Sequence, residues 1–235
     1  DVVKPISGMD MPFSFDERKR AGEKQKITVA YLSKDFRNHP VSHLICRLFS
    51  LHNRDEFTVF CYSYGQDDKS VYRTQIQQEC DKFTDIRNMG HADAARRIYD
   101  DQVDILVDLM GFTGGSRLGI CALRPAPVQA TYLGFPGTTG ADFFDYIITD
   151  RIVTPEDQAA YYSENFAYMP HSFQINDNTQ AIAEKEWGPG NFGLPRDGFV
   201  FCSFNQAYKI EPVMFDVWMR ILRKVPGSVM WLSHA

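Results

Sequence analysis

Lys26 to Leu44, KITVAYLSKDFRNHPVSHL, decides the fold. ITVAYL is an apolar run of strand length, SKDFRNHP is a polar loop carrying a proline, and VSHL opens a helix. A short buried strand feeding a loop and then a helix is the repeating half of an open α/β sheet. Ligands of such sheets gather outside the carboxyl ends of the strands, because helix N-termini and loop amides face that edge. His39 and His43 fall there.

The same alternation continues outward. Strands are expected at 57–63, 82–86, 104–109, 128–133 and 146–149, with helices at 41–52, 69–80, 91–101 and 116–123. Continuous Val, Ile and Leu runs separated by helical segments predict an α/β, doubly wound parallel sheet covered on both faces. Thr154 and Pro155 read as an N-cap and first residue of a helix over 158–162, and 166–169 as a last strand. Residues 176–198 concentrate Asn, Asp, Gly and Pro, as a linker does. Beyond it a strand at 199–204, a helix to about Lys224 and a strand at 228–232 form one βαβ unit, the opening of a truncated second Rossmann-like domain. The expected division is a connector at 1–26, a Rossmann-like domain at 27–175, the linker, and an incomplete domain at 199–235. The first residue is not Met and the last segment stops abruptly, so a piece of a longer protein is expected.

Composition narrows the function. A net charge of -5 without a basic run argues against nucleic-acid and membrane-surface binding. No apolar window approaches the roughly 20 residues of a membrane span, and no signal peptide is legible, so a cytoplasmic protein is expected. The five cysteines, Cys46, Cys61, Cys80, Cys121 and Cys202, read as reduced core thiols. None has CxxC spacing and the histidines are mostly isolated, so no metal site is expected.

Four loops carry the chemistry. His39, between strand and helix, is a general base, a phosphate contact or a structural imidazole; His43 orients it or a ligand, or packs. The exit of the 104–109 strand brings Asp108, Gly111, Phe112 and Thr113, whose glycines let amides approach a polar ligand without being a GxGxxG motif. Asp108 either reaches the crevice or bonds the glycine loop. The next exit brings Pro136, Gly137 and Thr138 in a rigid turn with hydroxyls for sugar or phosphate. Asn205, Gln206, Tyr208 and Lys209 offer an amide, a phenol and an ammonium before the last helix, suited to phosphate and base.

Apart from those of the 108–113 loop, these residues sit in a set of five ordered stretches: DFRNHPVSHL (35–44), ALRPAPVQATYLGFPGTTG (122–140), DYIITD (145–150), YSENFAYMPHSF (162–173) and FNQAYKI (204–210). With them the sequence resembles the catalytic region of the protein O-linked N-acetylglucosamine transferases and their SPINDLY-type relatives, from Lys26 to Leu232. The resemblance implies a two-domain GT-B fold. It implies an inverting, metal-independent glycosyltransferase without a cofactor, its partners being a sugar nucleotide and protein Ser or Thr hydroxyls. By similarity His39 lies on the acceptor side as a candidate base, and Thr113, Pro136, Gly137 and Thr138 line the cleft. Gln206, Tyr208 and Lys209 hold the nucleotide diphosphate, with Lys209 offsetting leaving-group charge. A tetratricopeptide region is expected upstream of Asp1, and the rest of the second catalytic half is expected to lie outside this chain. Phe112 stands where many relatives have Tyr or His. The short linker, without the large insertion of the animal enzymes, is closer to bacterial members. Two alternatives stay open: the same fold using GDP-fucose, and an inactive fragment acting as a binding module.

Overall fold

The computed structural model describes residues 13–15, 26–182 and 184–233. The chain divides into a first unit reaching Thr179 and a second from Gln180. Most of the expected connector lies outside the described residues. Of its described part, Phe13 stacks on Tyr99 with ring centroids 4.6 Å apart, and the Ser14 carbonyl accepts from the Tyr99 hydroxyl.

The first unit holds strands β1 (Ile27–Ser33), β2 (Phe57–Ser63), β3 (Lys82–Asp85), β4 (Ile105–Asp108), β5 (Val128–Tyr132), β6 (Tyr146–Thr149) and β7 (Asn165–Tyr168). They form one parallel sheet in the order β3-β2-β1-β4-β5-β6-β7. Helices α1 (Pro40–Ile45), α2 (Val71–Glu79), α3 (His91–Asp100) and α4 (Leu118–Ala122) connect them.

Apolar strand residues alternate between two cores. Leu32, Tyr62 and Leu106 pack with Ala94, Ala95 and Ile98 of α3 and Leu118 and Ile120 of α4. Val29, Tyr31, Val59 and Val107 pack on the other face with Ile45 and Phe49 and with Ile76 of α2. Each fully buried Leu or Ile contributes roughly 1.5–3 kcal/mol, which is why these strands read as unbroken apolar runs. Strand order reverses between β1 and β4, so the loops leaving these neighbours part and open a crevice at their carboxyl ends.

Three expectations are corrected. The helix expected at 41–52 is two pieces, α1 and a 3-10 turn at Phe49–Leu51. Val41, Leu44, Ile45, Leu48 and Phe49 keep helical spacing, but the chain tightens after Cys46 so that Phe49 enters the core beside Tyr31 and Phe36. The helix expected at 158–162 is a 3-10 turn, Glu156–Tyr161, with no buried residue. Thr154 does not cap it: its hydroxyl pairs with Thr149 at 2.7 Å inside the sheet. Cys202 is exposed, whereas the other four thiols are buried and all are free.

The second unit has β8 (Val200–Ser203) parallel to β9 (Val229–Leu232), joined by α5 (Pro212–Lys224). Phe201, Cys202, Trp218, Ile221 and Met230 border a groove of about 290 Å³ between sheet and helix.

Candidate functional site

Asp35 organises the loop after β1. It is 5 % exposed, its carbonyl accepts from the Ser42 hydroxyl, and its amide donates to Ser33 Oγ at 2.9 Å. Its carboxylate meets the Arg37 guanidinium at 3.1 Å and His39 Nδ1 at 3.5 Å. His39 is the N-cap of α1, and the same Nδ1 lies 3.3 Å from the Val41 amide, which donates to it. With the proton on Nε2, Nδ1 accepts the Val41 amide; in the other neutral tautomer Nδ1–H faces Asp35 and Nε2 is left open to take a proton from a substrate. Burial, with the nearby Arg37, His43 and Lys34 charges, outweighs the pull of Asp35 and lowers the His39 pKa below the ordinary imidazole value. The ring is neutral at pH 7.

His43 has a different surrounding. Its ring stacks on Tyr72 with centroids 4.2 Å apart, and Nε2 bonds the Asn38 amide oxygen at 2.8 Å. It braces the loop that carries His39.

Across the crevice runs the glycine loop after β4. Asp108 is 1 % exposed and accepts the Gly111 amide at 2.6 Å and the Met110 amide at 3.3 Å on Oδ2. It therefore bonds the glycine loop, one of its two expected roles, and is turned from the open crevice. Burial raises its pKa against the opposing effect of those amides, to about 7. Gly111 has φ +53°, and a Cβ there would sit 2.6 Å from Phe135 Cβ, so both backbone and space demand glycine. Phe112 is 53 % exposed and meets Phe135 edge-on at 5.7 Å, an aromatic pair at the crevice mouth. Thr113 donates its hydroxyl to the Met110 carbonyl at 2.9 Å. Lys34 ties the two loops, its ammonium donating to the Gly114 carbonyl at 3.2 Å.

The loop after β5 is held by Glu164, a residue not singled out in the sequence. Thr138 donates its hydroxyl to Oε2 at 2.7 Å and the Thr139 amide donates to Oε1 at 2.7 Å; the Thr139 hydroxyl also bonds Oε1. Burial works against the Glu164 charge, but these donors win and its pKa is lowered. Thr138 also accepts from the Gly140 amide, so its hydroxyl serves the turn, while Pro136 is exposed and Gly137 half-buried on its outer side. Gly134 lets the loop cross the preceding one: a Cβ would lie 2.1 Å from the Leu109 carbonyl oxygen.

Arg73 was also missed. Only 2 % exposed, it donates to the Phe36 carbonyl and Ser63 Oγ and pairs with Asp67 and Asp85, tying the exits of β1, β2 and β3. An Arg on a polar helix carries no sequence signal of burial; the short acidic cluster Asp67-Asp68 was the one hint.

On the second unit, Gln206 precedes a 3-10 turn, Ala207–Lys209, that follows β8. Asn205, Gln206, Tyr208 and Lys209 are exposed, and the Lys209 ammonium lies 5.9 Å from the Tyr208 ring centre. Four polar side chains thus stand together at a strand exit.

A doubly wound parallel sheet with an imidazole and a glycine loop at the strand exits beside its switch point defines an α/β protein with a candidate ligand site at that edge. The sequence signature of glycosyl transferase family 41 matches residues 6–186 and 189–234, and the chain belongs to that family. It is 41 % identical over 219 residues to the probable UDP-N-acetylglucosamine–peptide N-acetylglucosaminyltransferase SEC of Arabidopsis thaliana, covering 91 % of this chain and 22 % of SEC. It is 35 % identical over 210 residues to the Arabidopsis SPINDLY protein, described as a probable enzyme of the same kind, covering 87 % and 22 %. The alignment with the Caenorhabditis elegans UDP-N-acetylglucosamine–peptide N-acetylglucosaminyltransferase spans 333 positions at 28 % identity, covering 94 % of this chain and 29 % of that enzyme. The solved structure of a mutant Thermobaculum terrenum O-GlcNAc transferase superposes with a TM-score of 0.77 at 28 % identity, over 89 % of this chain and 39 % of that one. This likeness agrees with the expected GT-B type of fold. The chain spans about a fifth of the Arabidopsis relatives. Among the described residues no helix is long and apolar enough to cross a membrane.

Proposed function

We propose that the chain is the catalytic region of an inverting, metal-independent transferase. It moves N-acetylglucosamine from UDP-N-acetylglucosamine to Ser or Thr hydroxyls of proteins. The hydroxyl oxygen attacks the anomeric carbon, its proton passes to Nε2 of His39, and the bond from that carbon to the diphosphate breaks. Lys209 offsets the charge on the departing diphosphate, with Gln206 and Tyr208 beside it. The glycine loop and the 133–140 turn shape the crevice floor.

One observation carries this reading: His39, neutral at pH 7, is oriented by Asp35 at the β1 exit, beside the switch point of a family 41 chain. The names of the curated relatives supply the donor and acceptor classes. A positioned base of this kind contributes about 10²- to 10⁴-fold.

The test is transfer by the full-length protein from UDP-N-acetylglucosamine, with GDP-fucose in parallel, to a Ser/Thr peptide, read by mass and by the anomeric configuration of the product. A β-linked N-acetylhexosamine formed in the presence of EDTA is expected. Fucose addition would assign the other donor, and no transfer from either would leave a binding module.

A further inference from the structure

We propose that Cys61 and Cys80 form a redox site: a small peroxide oxidises the pair to a disulfide that fastens α2 to β2, and thiol reductants reverse it.

Both positions follow from the connection between α2 and β3. Cys80 ends α2, its amide donating to the Ile76 carbonyl at 3.2 Å. The next residue docks on β2: the Asp81 amide donates to the Val59 carbonyl at 2.8 Å, and the Asp81 carboxylate accepts the Val59 amide at 2.7 Å. Cys61 lies two residues beyond Val59 and so projects from the same face of β2. Cys80, Cys61, Val59 and Ile76 belong to one core. There the two thiols lie within hydrogen-bond reach of each other, Cys61 as donor, while the Cys80 thiol donates onward to the Gln77 carbonyl at 3.9 Å. The other thiols lack such a partner among the described residues: Cys46 donates to Asp177 Oδ2 at 3.3 Å, Cys121 stands near Asp108, and Cys202 is exposed on the second unit.

The two sulfurs differ in a way that orders the chemistry. Cys61 is fully buried, and burial pushes its pKa well up. Cys80 keeps 9 % exposure, and the hydrogen bond from Cys61 lowers its pKa against the effect of burial. The thiolate is the nucleophile, so Cys80 reacts first. Its sulfur attacks one oxygen of hydrogen peroxide, the O–O bond breaks, and the departing hydroxide takes up the proton that Cys80 released. The Cys61 sulfur then attacks the Cys80 sulfur of the sulfenic acid; the S–O bond breaks, and hydroxide departs with the Cys61 proton as water. The two thiols together lose two electrons, and the peroxide is reduced to two molecules of water. The new bond ties α2 to β2 at the end opposite Tyr72 and Arg73, which stack on His43 and donate to the Phe36 carbonyl. The helix that braces the His39 loop is then fixed at both ends.

Oxidation of the full-length protein with hydrogen peroxide, followed by alkylation of the remaining thiols in denaturant and tryptic mapping, tests this independently of sugar transfer. Cleavage after Arg54, Lys69, Arg73 and Lys82 puts the two cysteines on peptides 55–69 and 74–82. The two peptides are expected joined, lighter by two hydrogens than their summed masses, and separated again by dithiothreitol. Both cysteines still alkylated, Cys80 carrying oxygen while Cys61 stays a thiol, or either one joined to a different cysteine overturns the proposal. In Cys61→Ser the Cys80 sulfenic acid has no resolving thiol and is expected to be trapped by dimedone; a Cys80 that resists the trap overturns its assignment as the attacking thiol. The map of the unaltered protein decides the cross-link whether or not that variant folds.

Discussion

Asp35 and Asp108 flank the crevice from the exits of adjacent strands, and both are almost fully buried. Asp35 has Arg37 and His39 against its oxygens; Asp108 has two backbone amides and an oxygen without a partner. The difference teaches that burial alone does not set the chemistry of a strand-exit carboxylate. A cation beside it makes a device for orienting an imidazole, while amides alone make a group that holds its proton into the neutral range.

The largest stability effect that would sharpen this contrast is truncation. Asp108→Ala leaves the Met110 and Gly111 amides buried without acceptors and should lower unfolding stability by on the order of 3 kcal/mol in a urea titration. Asp35→Ala exposes partners that water can reach, His39 and Arg37 being about a third exposed, and should cost about 1–2 kcal/mol. Equal losses would erase the distinction.

Asp108→Asn should act in the opposite direction and depend on pH. The folded acid is raised to about 7 from an unfolded value of roughly 4, so proton uptake stabilises the fold below roughly 4 and that stabilisation is lost as pH rises through 7. The Asn variant does not lose it. Its stability relative to the unaltered chain should therefore improve between pH 5 and pH 8 by up to roughly 3 kcal/mol, read from paired melting curves. A gap that does not change with pH would refute the assignment.

Smaller effects test the Asp35 side. In Asp35→Asn the group that raises the His39 pKa is gone, so the imidazole midpoint, followed by the ring proton resonance, should fall further. A midpoint that stays or rises would remove the ion pair from the account. Glu164→Gln should cost about 1 kcal/mol, because the amide oxygen still accepts the two Thr139 donors but the amide nitrogen cannot accept the Thr138 hydroxyl.

Much of this was legible in the chain. Apolar strand runs and helical spacing located the parallel sheet, and glycines at Gly111 and Gly134 marked where loops meet. What was not legible depends on long-range partners. Glu164 is 25 residues from Thr139, Arg73 closes on Phe36 37 residues away, and Cys46 donates to Asp177 across 131. No local pattern announces such pairs. The helical period of Val41 to Phe49 was real, but periodicity cannot distinguish one helix from two short pieces that share a buried face. Asp35 lay in plain view within DFRNHP, yet its pairing with His39 four positions on depends on a loop that is not helical.

The central claim is that the neutral imidazole of His39 accepts the proton of the attacking hydroxyl. The pH dependence of kcat/KM for sugar transfer by the full-length protein, with and without His39→Ala, tests it most directly. The account predicts a rate that falls on the acid side, below the ordinary imidazole range, because the lowered His39 pKa keeps the base neutral down to there. It further predicts a loss of about 10²- to 10⁴-fold in the variant, with that acid limb gone. A variant that retains both the rate and the limb would contradict it.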